Sequence, residues 1–308
     1  MAKTIELIEN LKAQGVELSL AGENLRYKGP VKALDSEIMA EIERHKADLI
    51  DYLRLQSVEH IRIERRGSGD FTQTYRPCRI SEVAGNEPAR KIIAKAFNEN
   101  RIPHSFLFHG LSGTGKTTMA RIIEMGLNCK EGPTCEPCCG CSYCRSIINR
   151  KGNLAIREIN AVEKNKDELR GILQELDAYG FGGRIEGNRR SVFLVDECHG
   201  LTQDQAQLFL KHLEDVQEDN FFIFCTTEFE KVLPALRDRC IFQIEFGRVP
   251  AKEILRLLRG ICFQEQIEPD DEVLRKIAEE SRGKPRVAVR ELQQVDYAGK
   301  LKRRTLQE

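Results

Sequence analysis

Two helical patterns of apolar residues enclose a strand-like stretch in the first part of the chain, up to about residue 56. Apolar residues three or four positions apart share one face of a helix, and alternating residues share one face of a strand. The apolar positions are Ile5, Leu7, Ile8 and Leu11 in the first helix, Val16, Leu18, Leu25 and Tyr27 in the strand-like stretch, and Ile38, Ile42, Leu49, Ile50 and Leu53 in the second helix. The pattern predicts a small α+β unit in the order helix, hairpin, helix.

Candidate strands alternate with amphipathic helical patterns from Tyr75 onward. Each candidate is a short apolar run, and the runs are Ser105–Phe108, Ala155–Ile159, Val192–Val195, Phe221–Cys225 and Phe242–Phe246. Such alternation is typical of a parallel sheet that is covered by helices, so the predicted fold class is α/β. After Pro250 the strand patterns stop, and the remaining residues predict a compact helical unit.

A change of composition marks the boundary between the first unit and the sheet. The sequence RRGSGD at 65–70 has the charged and glycine-containing composition of a linker. We therefore divide the chain into a small domain at 1–64, a linker at 65–73, an α/β domain at 74–247 and a helical domain at 248–308.

Charge and hydropathy narrow the class of protein. The 308 residues include 48 Lys and Arg and 48 Asp and Glu, so there is no net charge to attract nucleic acid or a membrane, and any DNA contact must be a local patch. No apolar run approaches the roughly 20 residues that span a bilayer, and the start MAKTIELIENLKAQG has no signal-peptide core. The sequence predicts a soluble, cytoplasmic protein with no membrane partner.

A glycine-rich loop follows the first strand of the predicted sheet. The strand SFLF runs into GLSGTGKT at 110–117 and then into a helical pattern, which is the context that the Walker A motif requires. Glycines let the backbone approach phosphate oxygens, and the start of the helix presents free N–H groups to them. We expect Lys116 to reach the β- and γ-phosphates and the Thr117 hydroxyl to bind Mg²⁺. On its own, the motif also fits a glycine-rich turn that binds nothing.

A second motif argues against that alternative. The apolar strand SVFLV at 191–195 ends in Asp196 and Glu197. In a P-loop ATPase the first carboxylate holds Mg²⁺, directly or through water, and the second orients and deprotonates the attacking water. Because two such motifs in the expected order and spacing rarely arise together by chance, the sequence predicts ATP binding and hydrolysis.

These motifs and their surroundings resemble the AAA+ clamp-loader ATPases, in particular the gamma/tau subunits of bacterial DNA polymerase III, over residues 74–295. The similar segments are YRP at 75–77 with VAGNE at 83–87, HSFLFHGLSGTGKTTMARIIEMGLNC from 104, VFLVDECHGLTQDQAQLFLKHLED from 192 and FCTTEFEKVLPALRDRC from 224. The resemblance implies an AAA+ P-loop sheet followed by a helical lid domain, with ATP and Mg²⁺ as cofactors.

The resemblance also assigns roles to individual residues. It implies that Thr227, with Thr226 as the nearby alternative, contacts the catalytic water or the γ-phosphate. Arg239 would be an arginine finger that reaches into a neighbouring subunit, and Arg286, in the turn GKPR at 283–286, would touch the phosphates of its own subunit. The nucleotide would be bound by Val83, Gly110, Gly113, Thr114, Gly115, Lys116, Thr117 and Thr118.

The sequence departs from the family beside the proposed finger. The family has Ser-Arg-Cys, whereas this chain has Asp238-Arg239-Cys240, which places a carboxylate next to the arginine. A surface salt bridge is therefore the alternative role for Arg239, and an ordinary basic helix start is the alternative for Arg286.

Six of the eleven cysteines lie between Cys129 and Cys144, and without an export signal this spacing favours metal binding over disulfides. The set Cys129, Cys138, Cys141 and Cys144 resembles the zinc module inserted in gamma/tau ATPase domains, which implies a structural zinc site at 129–144. Four thiolates satisfy tetrahedral Zn²⁺. The evenly spaced set Cys135, Cys138, Cys141 and Cys144 is reminiscent of iron–sulfur ligation but lacks the longer final gap and the following Pro. Reduced thiols without a metal are the remaining alternative.

The N-terminal segment has a resemblance of its own. The sequence TIELIENLKAQGVELSLAGENLRYKGP, followed by a charged helix, is similar to the docking domains first known from the TubC family of megasynthases. The resemblance implies that residues 1–64 bind a protein partner, whose identity the sequence does not give, through a hairpin. A small domain without a partner is the alternative.

The resemblance implies a motor subunit of a DNA sliding-clamp loader or a closely related DNA replication complex. Its partners would be other clamp-loader subunits or copies of itself, a sliding clamp and primer-template DNA. Family members also carry a C-terminal collar domain, and the sequence ends at Glu308 directly after the expected lid, so we expect another contact, or another DNA transaction, in its place. The alternatives are a helicase loader or recombination factor of a mobile replicon, and a nucleotide-gated scaffold; the two Walker B acids favour an enzyme over a scaffold.

Overall fold

The fold is given by a computed structural model, which describes residues 7–8, 10–11, 15–21, 24–30, 36–46, 49–50, 69–149, 156–161, 163, 165–179, 190–214, 219–268, 270–299 and 301. Their helices and strands, in chain order, are β1 (Glu17–Ala21), β2 (Asn24–Lys28), α1 (Ser36–Arg44), α2 (Phe71–Thr74), α3 (Glu87–Asn98), β3 (Ser105–Gly110), α4 (Lys116–Asn128), α5 (Ser142–Ile148), β4 (Ile156–Asn160), α6 (Lys166–Tyr179), β5 (Ser191–Asp196), α7 (Gln203–Glu214), β6 (Asn220–Thr226), α8 (Pro234–Arg239), β7 (Phe242–Phe246), α9 (Ala251–Gln264), α10 (Asp271–Glu280) and α11 (Pro285–Tyr297).

A sheet of five parallel strands carries the α/β part of the chain, in the order β4-β5-β6-β3-β7. The five strands that the sequence predicts are all present. Because the strands are parallel, their carboxyl ends meet at one edge, where a ligand of an open α/β sheet binds. The ends of β3, β5 and β6 therefore bring Gly110, Asp196 and Thr226 to the same edge.

Large apolar side chains fill both faces of the sheet. Phe106 and Phe108 point to a core shared with α4, whereas Leu107 points to the opposite core with Phe193 and Phe222. The rings of Phe193 and Phe222 stack with centroids 5.2 Å apart. Each such side chain contributes about 1.5–3 kcal/mol when fully buried, so the sheet is a firm platform for the loops at its edge.

The three helices α9, α10 and α11 form a C-terminal bundle around a core of their own. Asp270 begins α10 by accepting hydrogen bonds from the N–H groups of Glu272 (3.0 Å) and Val273 (3.2 Å), as an N-cap residue does. No helix in the described part of the chain is long and apolar enough to cross a membrane.

The short helix α2 attaches the start of the α/β part to this bundle. Phe71 and Tyr75 pack in the bundle core, and the Phe71 N–H donates to Oε1 of Gln293 on α11 at 3.0 Å. Residues 71–73 of the predicted linker are therefore helical and packed, and residues 65–68 lie outside the described residues.

The N-terminal unit contains the predicted hairpin. Strands β1 and β2 are antiparallel, with Leu18 opposite Tyr27. An apolar cluster joins the unit, and its buried members are Leu7, Ile8, Leu11, Val16, Ile42 and Leu49. Phe263 of α9 packs against this cluster, so the unit contacts the C-terminal bundle. The predicted apolar positions Ile5 and Leu53 lie outside the described residues.

Candidate nucleotide-binding site

The loop 110–117 connects the end of β3 to the start of α4, and its glycines are required by its backbone. Gly110 has φ 129°, and a Cβ there would lie 2.3 Å from the carbonyl oxygen of Phe246. Gly115, with φ 113°, precedes the first residue of α4. Positive φ of this kind is open to glycine and strained for other residues, so the backbone conformation of this loop requires glycine at these two positions.

Lys116 lies at the base of this loop. Its Nζ donates hydrogen bonds to the carbonyl oxygens of Gly110 (2.7 Å) and Leu111 (2.9 Å). Burial lowers the pKa of Lys116, and Arg286 acts in the same direction, while the neighbouring acids Asp196 and Glu197 oppose the shift. The ammonium group is thus held against the backbone of the phosphate loop.

Thr117 and Asp196 meet across the site. The Thr117 hydroxyl donates to Oδ2 of Asp196 at 2.9 Å. Burial raises the pKa of Asp196, and this hydrogen bond opposes the shift. A hydroxyl and a carboxylate side by side are the ligand pair that P-loop ATPases offer to Mg²⁺, so these residues fit a magnesium site.

Glu197 has a strained backbone that turns its side chain toward the end of β6. Its φ of 51° and ψ of 46° are left-handed, which costs a non-glycine residue about 1–3 kcal/mol and is most often seen at functional sites. Its Oε2 accepts hydrogen bonds from the hydroxyl (3.0 Å) and the N–H (3.3 Å) of Thr227. Among the described residues, no hydrogen bond or ion pair reaches Oε1, which leaves that oxygen for a water molecule.

The geometry distinguishes the two threonines at the end of β6. Thr226 is fully buried, and its Oγ1 accepts from the Glu228 N–H at 3.0 Å and contacts His199 Nδ1 at 3.1 Å. Thr227 lines the pocket beside Glu197. Of the two candidate threonines, Thr227 is thus among the pocket-lining residues and Thr226 is not.

His199 is a neighbour of the site that the sequence analysis missed. Its Nδ1 lies 3.4 Å from Oε2 of Glu197, and its Nε2 lies 3.3 Å from Oε1 of Glu228. The imidazole ring thus lies between Glu197, which lines the pocket, and Glu228, which is exposed. Its place two residues after Glu197 in DECHG was the only signal in the sequence.

The pocket is lined both by the phosphate loop and by apolar side chains from other segments. Of the residues predicted to bind nucleotide, those that line it are Val83, Gly113, Thr114, Gly115, Lys116, Thr117 and Thr118. Its apolar lining residues are Phe71, Tyr75, Pro77, Val83, Ala84, Leu257 and Val289, and the polar residues Thr72, Arg76 and Glu82 of the segment from Phe71 to Ala84 line it too. Charged and apolar groups in one cleft fit the triphosphate and the base of a nucleotide.

Arg286 comes to the pocket from the bundle. It is the second residue of α11 and lines the pocket with Pro285. A Cβ built on Gly113 would lie 3.5 Å from the Arg286 Cβ, so the loop and the bundle nearly touch here. The predicted cation therefore lies beside the phosphate loop of its own chain.

Arg239 lies outside the pocket, at the end of α8. Its Nε donates to Oε1 of Glu214 at 2.7 Å, and its Nη1 donates to the carbonyl oxygen of Ala235 at 3.2 Å. The acid that pairs with it is therefore Glu214, at the end of α7, and not the adjacent Asp238. Because Glu214 lies 25 residues earlier in the chain, no sequence motif pointed to it.

Four cysteine thiols form one group. The Sγ atoms of Cys129, Cys138, Cys141 and Cys144 all lie within 4.8 Å of one another, and Cys135 does not belong to this group in the described residues. Backbone N–H groups point at two of the thiols, from Cys138 to Cys129 Sγ (3.3 Å) and from Cys144 to Cys141 Sγ (3.4 Å). Four sulfur donors this close together are compatible with a tetrahedral metal site, such as a Zn²⁺ site with Zn–S distances of about 2.3 Å.

Hydrogen bonding favours the thiolate form of one of these cysteines. Burial alone would raise the pKa of Cys141, but hydrogen bonds from the N–H groups of Cys144 and Lys130 and from the thiols of Cys144 and Cys138 outweigh it and lower the pKa to about 7. Burial raises the pKa of Cys129 and of Cys144, so these two thiols do not share the shift of Cys141.

Comparison with known families finds two matches. The family model described as "DNA polymerase III, delta subunit" matches residues 85–249, more than half of the chain. The model described as "TubC N-terminal docking domain" matches residues 5–54. The two matches fall on the α/β part and on the N-terminal unit, where the sequence analysis placed the two resemblances.

Similar proteins include replication subunits. The "DNA polymerase III subunit gamma/tau" of Mycobacterium tuberculosis is 37% identical over 223 residues, which are 72% of this chain and 38% of that protein. The subunit of the same name from Mycoplasma genitalium is 34% identical over 73% of this chain and 37% of its own length. This chain thus spans less than half the length of these relatives.

A solved structure has a similar fold. The Thermotoga maritima protein described as "RuvB Holliday junction branch migration motor" matches 74% of this chain and 66% of its own chain, with a TM-score of 0.53 and 23% identity. At this identity the likeness concerns the fold, and it agrees with an AAA+ P-loop sheet.

Proposed function

The chain belongs to the family described as "DNA polymerase III, delta subunit", and on this premise we propose that it is an ATP-hydrolysing AAA+ motor subunit of a DNA sliding-clamp loader or a closely related replication complex. The observation that carries the proposal is the meeting of Thr117 and Asp196 at 2.9 Å in a pocket that Lys116 and Glu197 also line. Similarity to gamma/tau subunits over about 72% of the chain supports clamp loading over the other DNA transactions.

The geometry supports a direct mechanism. Glu197 Oε1 takes a proton from a water molecule, the water oxygen bonds to the γ-phosphorus, and the bond from that phosphorus to the ADP oxygen breaks. Thr227 holds Glu197 in place through Oε2. Lys116 and Arg286 offset the phosphate charge. Thr117 and Asp196 would hold Mg²⁺, which would supply positive charge to offset the phosphates.

The turnover of the purified chain tests this proposal. ATP hydrolysis should rise when primed DNA, a sliding clamp and partner subunits are added, because clamp loading couples hydrolysis to these ligands. Hydrolysis that responds to branched DNA and ignores a clamp would favour a recombination motor instead. If ATP is not hydrolysed in any of these mixtures, the result would favour the alternative of a nucleotide-gated scaffold.

The cysteine group fits a structural zinc ion at 129–144. Its four sulfur donors satisfy a tetrahedral ion without water, and the segment between them is too short to have a core of its own. We assign Cys129 as the first ligand, because its thiol lies in the group and that of Cys135 lies outside it.

Replacing Cys141 with Ser should remove the metal and lower the melting temperature by roughly 5 °C or more, since the ion replaces a core in this segment. Wild type should contain about one zinc per chain by metal analysis. Cys135→Ser is the matched control and should keep its zinc. Iron with visible charge-transfer absorption, or zinc loss in the control, would instead support the quartet that includes Cys135.

The N-terminal unit, residues 1–64, is proposed to dock a partner protein, on the strength of the match to TubC-type docking domains over residues 5–54. The α/β domain at 74–247 and the lid at 248–308 would then act as one motor in the cytoplasm. Within this chain, the unit also contacts the C-terminal bundle, through Phe263.

Deleting residues 1–64 should leave ATP affinity unchanged and abolish capture of the partner, because none of the described residues of that unit lines the nucleotide pocket. The deletion uncovers Phe263, so a second shortened chain with Phe263→Gln controls for an exposed apolar surface. Titration with ATP and a pull-down from the native host measure the two effects. Loss of ATP binding in both shortened chains would show that the unit is part of the ATPase core.

A further inference from the structure

The cysteine segment 129–144 is hydrogen-bonded to one wall of the nucleotide pocket. We use "pocket wall" for residues 75–84, which follow α2. The Ile80 N–H donates to the carbonyl oxygen of Cys135 at 3.1 Å, and Nε of Arg79 donates to that of Pro137 at 3.1 Å. These bonds cross more than fifty residues of sequence, so the segment and the wall meet only in the fold.

The strongest part of this contact is a pair of hydrogen bonds between Glu136 and Ser81. The Ser81 N–H donates to Oε1 of Glu136 at 2.9 Å, and the Ser81 hydroxyl donates to Oε2 at 2.8 Å. The Glu136 N–H in turn donates to Oγ1 of Thr134 at 3.0 Å. Both carboxylate oxygens are therefore used, and hydrogen bonds to a charged acceptor are stronger than neutral ones.

The pocket wall turns sharply at the point that Glu136 holds. The Glu82 N–H donates to the carbonyl oxygen of Arg79 (3.1 Å), and the Val83 N–H donates to that of Ile80 (3.2 Å). Ser81 thus lies inside a single 3₁₀ turn whose next residues, Glu82 and Val83, line the pocket. A shift of Ser81 would therefore move this stretch of the pocket lining.

The other side of the segment is fixed to the helix that starts at the phosphate loop. Helix α4 runs from Lys116 to Asn128, directly before Cys129. The Thr134 N–H donates to the carbonyl oxygen of Gly126 at 3.1 Å, and a Cβ on Gly126 would lie 2.0 Å from the carbonyl oxygen of Thr134. The cysteine segment thus joins α4 to the pocket wall.

We infer that the segment 129–144 is a brace that sets the position of the pocket wall, and that Glu136 is the positioning residue through which it acts on the base of the nucleotide. The inference rests on the proposed function. We expect the phosphates at the loop 110–117 and at Arg286, and among the described residues no hydrogen bond joins the Glu136 side chain to either. The brace should therefore affect binding of the nucleoside part and leave binding of the phosphate part unchanged.

Two probes separate these parts, ATP and inorganic tripolyphosphate, each titrated into the full chain with Mg²⁺. Glu136→Ala should weaken ATP binding by about tenfold, the effect of two lost hydrogen bonds, and leave tripolyphosphate binding and zinc content unchanged. Glu136→Gln, which retains one acceptor oxygen, should fall between Ala and wild type. Glu131→Ala removes an exposed acid of the same segment and should bind both probes as wild type does.

Ser81→Ala tests the same contact from the wall. The variant keeps the hydrogen bond from the backbone N–H of residue 81 to Glu136 and loses the one from the hydroxyl. Its loss of ATP affinity should therefore be smaller than that of Glu136→Ala, and tripolyphosphate binding should again be unchanged. Unchanged ATP affinity in Glu136→Ala, or equal weakening of ATP and tripolyphosphate in both variants, would overturn the brace. A wild-type chain that binds neither probe would instead remove the proposed function, and the brace with it.

Discussion

Lys116→Ala should abolish tight ATP binding, whereas Glu197→Gln should keep ATP bound and lose turnover. Lys116 places a buried positive charge at the phosphate loop, and its loss leaves the triphosphate charge without its main partner in the chain, so we expect the ATP dissociation constant to rise by about 10²-fold or more. Glu197→Gln keeps the shape of the side chain but cannot accept a proton, so kcat should fall by about 10²–10⁴-fold.

The two effects should separate cleanly, because Lys116 acts on phosphate and Glu197 acts on water. Titration with a fluorescent ATP analogue measures affinity, and phosphate release measures turnover. Lys91→Ala removes an exposed lysine that pairs with Glu87 on α3 and is the matched control. Equal nucleotide affinity in Lys116→Ala and wild type would contradict the P-loop assignment.

Much of the α/β fold was predictable because its signals are local. A strand buried on both faces must be a continuous apolar run, and the runs at 192–195 and 221–225 lie within the observed strands Ser191–Asp196 and Asn220–Thr226. The loop at 110–117 was predictable for a related reason, since its glycines are fixed by backbone conformation. Features that depend on residues close together in the sequence could therefore be predicted from the sequence.

Contacts between residues that are far apart in the sequence could not be predicted in this way. Nothing near Arg239 in sequence indicates Glu214, and nothing near Ser81 indicates Glu136. The choice between Cys129 and Cys135 was open for the same reason, since both spacings suit a metal and only the fold brings Cys129 into the group. The sequence pattern determines which segments form helices and strands, whereas tertiary packing determines which of their ends come into contact.

Arg239→Ala should remove most of the stimulated ATP turnover while changing ATP affinity little. In its own chain Arg239 is bound to Glu214 and does not line the nucleotide pocket, so it can reach a γ-phosphate only in a neighbouring subunit. Supply of an arginine finger in trans raises turnover by about 10³–10⁵-fold. The isolated chain should therefore be slow, and addition of partner subunits, clamp and primed DNA should give a gain of about 10³-fold or more that the variant lacks.

Mixed subunits give the sharpest form of this test. An assembly of Arg239→Ala with Lys116→Ala chains can place an intact finger against an intact phosphate loop, so activity should return when two inactive variants are combined. Arg237→Ala is the matched control, because Arg237 lies on the same helix and pairs with Glu230 at 3.2 Å, and it should keep the stimulated rate. A strictly monomeric protein that hydrolyses ATP at the full rate, with Arg239→Ala unaffected, would show that catalysis across an interface and the clamp-loader assignment are both wrong.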